Sequence, residues 1–249
     1  MAYDEEVETV VTENFKGVIR YSDQPDDPLD NFEFGTLTTW HRRERYGTPH
    51  SWESRLDFWN SFLVENEEAE LDTWFDQEWK TRCEPNFPPI TTEYQASIEE
   101  LQKEYRERVL DTVKDRVFYL TVFMYDHSGV TVSSSPFSCP WDSGQLGYLW
   151  ISAEEAFAKI VDFGFGGLSR EDQAKQILHQ LEEQLKVYDM WLQNDVYDVY
   201  VSARQRCGEC SHVVEEIIDG CSEIYGFEHA QEMLRTIMAA CAGGTDASQ

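Results

Sequence analysis

The sequence predicts an α+β fold, and three observations carry that expectation. Apolar residues alternate with a period of two near both ends of the chain. A nearly continuous apolar run sits in the middle. Elsewhere Trp and Leu recur every three or four residues over long stretches. Together they imply a single mixed or antiparallel sheet of about five to seven strands with helices packed on it.

The first predicted strand is FKGVIRYS (15–22). DQPDDPLDN (23–31) follows as a loop rich in turn formers, and FGTLTTWHRR (34–43) reads as the next strand. Helical spacing dominates 51–83, where Trp52, Leu56, Trp59 and Leu63 share one stripe and Leu71, Trp74, Phe75 and Trp79 another. Such a stripe belongs to a core. Three prolines in EPNFPPITT (84–92) break the pattern, and 93–115 forms a second long helix with Glu–Lys and Glu–Arg neighbours on its wet face.

RVFYLTVFMYDHSG (116–129) suits a strand inside a sheet, because apolar residues occupy both of its faces. GVTVSSS (129–135) and QLGYLWIS (145–152) add two more strands. Ser152 opens a short helix with a capping pattern, GFGG (164–167) interrupts, and Ser169 caps a long helix reaching about Gln193. VYDVYVSARQ (196–205) and VVEEIID (213–219) form a hairpin around CGECSH, and 227–241 is a last amphipathic helix. The expected organisation is an α+β core from residues 1–50 and 116–241, a helical subdomain at 51–115, and a frayed tail at 242–249.

Charge restricts the function classes. The chain of 249 residues has 48 acidic and 20 basic residues, a net charge of −28. A surface of that sign repels phosphate backbones, so direct nucleic-acid binding is not expected. A saline cell interior accounts for such acidity, and so does a protein partner with a basic surface. No apolar run approaches the ~20 residues of a membrane span. The N-terminus, MAYDEEVETVVTE, lacks the basic-then-apolar form of a secretory signal.

The central block YDHSGVTVSSSPFSCPWDSGQLGYLW (125–150) concentrates side chains that do chemistry. His127 is a candidate general base with Asp126 or Asp142 fixing its tautomer, and Cys139 is a candidate nucleophile. His41, Arg42 and Arg43 end an earlier strand and can supply a positive field or bind an anion. Trp141 and Gln145 complete the candidate ligand set. Against this, neighbours on a strand face opposite ways, and Asp126, Ser128 and Ser133 are ordinary turn formers.

Six cysteines are scattered along the chain, and one pair forms Cys207-Gly208-Glu209-Cys210. Two thiolates on a tight turn make half of a zinc site, with His212, Cys221, His229 or Cys241 as further donors. No other cofactor is expected. The sequence has no phosphate loop, no dinucleotide GxGxxG, no HExxH and no GxSxG.

Four blocks, DNFEFGTLTTWHRRERYG (30–47), YLTVFMYDHSGVTVSSSPFSCPWDSGQLGYLWIS (119–152), LKVYDMWLQNDVYDVYV (185–201) and IIDGCSEIYGFEHAQEML (217–234), resemble uncharacterised accessory proteins of tailed bacteriophages and related mobile elements. The chain departs from that pattern at Ser222-Glu223. The resemblance implies a viral or mobile-element source and implies no reaction; the lack of a span and of a secretory signal leads to the expectation of a soluble protein in the host cytoplasm. The leading expectation is a non-enzymatic accessory protein that binds a basic partner, such as a nucleic-acid-handling or defence protein. The alternatives are a hydrolase- or transferase-like enzyme with its site at His41, Asp126, His127 and Cys139, and a virion structural component.

Overall fold

A computed structural model describes residues 6–41, 46–83, 92–210 and 212–244. The fold is α+β, as the periodicities predict. Its strands are β1 (Glu6–Val11), β2 (Phe15–Tyr21), β3 (Thr36–Thr39), β4 (Val117–Asp126), β5 (Val130–Ser133), β6 (Ser143–Ser152), β7 (Val196–Arg206) and β8 (Val213–Tyr225). Its helices are α1 (Arg55–Asn60), α2 (Glu65–Arg82), α3 (Thr92–Val113), α4 (Ala153–Ile160), α5 (Arg170–Leu192) and α6 (Phe227–Gly244).

One expectation is corrected. The strands make two four-stranded sheets, ordered β1-β2-β7-β8 and β3-β6-β4-β5, where a single sheet was expected. Alternation marks a strand but carries no record of its partner, which lies far away in sequence. β1 was also missed, because the charges in EVETVV hide its alternation. It pairs antiparallel with β2 at an exposed sheet edge, where charged residues discourage further pairing.

The chain divides into two compact units. The first comprises residues 1–32, 123–144 and 183–249, and the second 33–122 and 145–182. These bounds differ from the expected core and insertion, because β3 and most of β6 fall with the helical block.

In the first unit, β2 and β7 run antiparallel from Phe15↔Ala203 to Tyr21↔Tyr197. Their inward residues Phe15, Ile19, Tyr197, Val199 and Val201 meet Ala230, Leu234 and Ile237 of α6. Gly17 permits the close approach of that helix, since a Cβ there would lie 2.5 Å from Leu234 Cδ1. β8 carries an irregularity opposite Tyr197/Val199, where Glu223 adopts φ 58°. Glu223 N–H donates to Asp198 Oδ1 at 3.1 Å, and its carboxylate accepts from Asp26 N–H at 3.3 Å. The Ser222-Glu223 step therefore coincides with a bulge.

In the second unit, Phe58 is fully buried and ringed by aromatic side chains, with centroids at 4.8 Å to Trp59, 5.1 Å to Trp52, 5.2 Å to Phe62 and 5.3 Å to Trp150. Of the Trp-rich stripes, Trp59 is buried in this core, and Trp52, Leu56, Leu63, Leu71, Trp74 and Phe75 pack against it partly buried. The first stripe is not one helix, however. Ser61 Oγ donates to Phe58 O at 2.7 Å and ends α1, a local bond that competes with the helical ladder. Arg116 then holds the corner, donating to Phe62 O at 2.8 Å and forming a bidentate pair with Glu67 at 2.7 and 2.5 Å. Gly147 of β6 faces β3 so closely that a Cβ would sit 1.9 Å from Thr38 O.

Candidate functional site

Residues 125–144 of the central block fold into a polar turn cluster within the first unit. β4 and β5 form a hairpin with Asp126 opposite Val130. Ser128 takes φ 59° in the turn, and His127 N–H donates to Gly129 O at 3.1 Å. Asp126 N–H donates to Asp142 O at 2.9 Å, which draws the following loop back against the hairpin.

That loop brings three of the predicted residues together. His127 Nδ1 lies 3.7 Å from Asp142 Oδ2, and Cys139 Sγ lies 3.6 Å from the same oxygen. The order is thiol–carboxylate–imidazole. A Cys–His nucleophile needs the base in direct contact with the sulfur. Here the carboxylate holds both groups, and among the described residues no hydrogen bond joins Cys139 to His127. The cluster is also open to water, with the His127 side chain 66% exposed. Ser143 Oγ donates to Cys139 O and fixes the loop. Trp141 stands 91% exposed beside it.

His41 lies in the other unit, at the end of β3. Its ring meets Tyr46 edge-on at 5.1 Å, and both line a pocket of about 300 Å³ whose described lining is residues 39–41 and 46–50. His50, which the sequence did not single out, faces the same pocket with Nε2 2.8 Å from Thr39 O and Nδ1 buried without a partner among the described residues. Arg42 and Arg43 lie outside the described residues. Gln145 belongs to neither group. It lines a cleft of the second unit, where its carbonyl accepts from Arg55 Nη2.

The β7–β8 hairpin carries the CxxC. Cys207 N–H donates to His212 O at 2.8 Å and closes the loop. Backbone N–H groups of Glu209 and Cys210, then the Cys210 thiol, bond the Cys207 sulfur and lower its pKa below the usual thiol value. All six cysteines are free. Among the described residues no cluster of three or more His, Cys, Asp or Glu side chains is placed to hold a metal ion, so Cys207, Cys210 and His212 are not joined there by a further donor.

The same hairpin carries a long exposed strand. β8 is the edge strand of its sheet, and residues Val213–Gly220 are all exposed. Among them Val213, Val214, Ile217 and Ile218 are 40, 61, 61 and 46% exposed. Native edge strands are commonly short, charged or covered. This one is 13 residues long and shows four β-branched apolar side chains to water. Glu215 and Glu216 sit between them and Asp219 follows; among the described residues Glu215 alone of the three meets cations, Arg204 at 3.1 Å and Lys16 at 3.8 Å. The doubled Val-Val and Ile-Ile pairs were the available signal. They break strict alternation, so one face of the strand cannot bury them all.

Among the described residues, no helix is long and apolar enough to cross a membrane. Compared with models of protein families, with curated proteins and with solved structures, the chain has no significant match.

Proposed function

We propose that this chain is a protein-binding accessory protein whose docking edge is β8, and that its partner presents a basic, extended segment. The observation that carries the reading is the uncovered run Val213–Gly220 at the sheet edge. An extended segment adding to such an edge satisfies the open backbone groups and covers the Val and Ile side chains. Charge complementarity selects the occupant. Glu215, Glu216 and Asp219 favour Lys and Arg on the incoming strand, and the net charge of −28 steers a cationic partner toward the surface. A second copy would oppose like carboxylates across the new pair and is disfavoured. The bacteriophage resemblance supports a host protein as the partner.

The enzyme reading loses ground because its thiol and imidazole share one carboxylate instead of each other. A photo-crosslinking residue at Ile218, with a control at the exposed Leu178 of α5, tests the proposal in a bacterial extract. The expected result is a crosslink to a Lys/Arg-rich peptide from position 218 alone, fading as salt rises. Equal crosslinking from both positions, a crosslink only to a second copy, or an acidic partner peptide would overturn it.

A further inference from the structure

A second site lies wholly within the second unit, and it has the opposite sign to the rest of the molecule. A cleft of about 570 Å³ opens between α1, α3 and β6. α3 contributes Lys103, Arg106, Glu107 and Leu110, spaced three, four and seven residues along one face of the helix. α1 contributes Arg55, Leu56 and Trp59, and β6 contributes Gln145 and Tyr148. Three cations therefore face one carboxylate, in a chain with 48 acidic and 20 basic residues.

The cations are poorly neutralised by the protein itself. Among the described residues neither Arg55 nor Arg106 forms an ion pair, and Lys103 reaches only Glu107 at 3.7 Å. Two donors are also left over. Arg55 Nε and Trp59 Nε1 are buried with no hydrogen-bond partner, and Trp59 is only 4% exposed. A buried donor without an acceptor costs about 1–3 kcal/mol. Arg55 is held by the Gln145 carbonyl, so part of the site is preorganised.

We propose that this cleft binds a small organic phosphate, with Arg55, Lys103 and Arg106 holding the phosphate group and Leu56, Leu110 and Tyr148 packing against the remainder. The surplus of two positive charges matches a phosphate monoester dianion, and guanidinium groups suit its planar pairs of oxygens. Apolar walls and a volume of about 570 Å³ call for more than a bare ion. A nucleic-acid strand is disfavoured, because the surrounding net charge of −28 repels a long polyanion. The inference is independent of the β8 proposal.

The test titrates AMP, inorganic phosphate and adenosine into the full chain, followed by calorimetry and by the indole N–H resonances of the tryptophans. AMP is expected to bind and to move the Trp59 indole signal, phosphate to bind more weakly at the same place, and adenosine to leave the signal unmoved. Arg106→Ala changes an exposed side chain, so it should leave the unfolding midpoint alone and weaken AMP about tenfold. Failure of both AMP and phosphate to bind would overturn the proposal. So would adenosine binding as tightly as AMP, phosphate binding without AMP, or unchanged AMP affinity in Arg106→Ala.

Discussion

Phe58→Ala should destabilise the second unit severely. The ring is fully buried, and Trp40, Trp52, Trp59, Phe62, Tyr148 and Trp150 surround it. Returning the buried ring to water costs about 2 kcal/mol. The void left behind approaches a benzene ring in size, about 80–100 Å³, and at about 24 cal/mol per Å³ it adds about 2 kcal/mol. Neighbouring rings are rigid and edge-packed, so little of that void can close. The sum is about 4 kcal/mol, with Phe58→Leu at about 1–2 kcal/mol. Denaturant unfolding followed by tryptophan fluorescence is the suitable assay, because six of the eight tryptophans lie in this unit. A loss below about 1 kcal/mol for the alanine variant would refute the packing account. It would mean that α1, which carries Arg55 and Trp59, is not anchored through Phe58.

Gly147→Ala should separate β3 from β6, because its methyl meets backbone at 1.9 Å, whereas Gly144→Ala in the same strand meets nothing within 4 Å and should be nearly neutral; thermal melts of the two variants compare them. The bidentate Arg116 guanidinium, with the Val64 N–H second, holds the Glu67 carboxyl down to about 2 from 4.5. A lowered folded-state pKa stabilises above pH 4.5, and that contribution fades as pH falls from there toward about 2. The difference in urea midpoint between wild type and Arg116→Met should therefore be full near pH 7 and shrink steadily below about pH 4.5. Among the cysteines, Cys207 should be alkylated well before the buried Cys83 at about pH 7.5, as read by mass spectrometry over time, and equal rates would contradict its lowered pKa.

Local signals made the elements legible, while contacts distant in sequence did not. The strand at 15–21, the helices opened by Ser152 and Ser169, and the β7–β8 hairpin follow from periodicity and capping alone. The division into two sheets did not, since it depends on which strand pairs with which, as in β2 with β7, whose paired residues Tyr21 and Tyr197 lie far apart in sequence. Of the candidate site residues, proximity in sequence announced the Asp126–His127–Asp142 neighbourhood. The cationic cleft escaped notice because Lys103 and Arg106 read as an ordinary wet helix face. Their partner Arg55 lies 48 residues before Lys103, and only the fold brings it alongside. β8 escaped for a different reason. Val and Ile in a strand normally signal burial, and exposure is a property of the finished fold.

The central claim is that β8 is a docking edge and not a structural one. It is tested most directly by the double variant Val214→Lys/Ile217→Lys, measured for both folding and partner capture. Both side chains are 61% exposed, so the unfolding midpoint should stay within about 0.5 kcal/mol of wild type. Capture of the basic partner crosslinked at Ile218 should be lost. Retained capture by the fully folded variant would contradict the account.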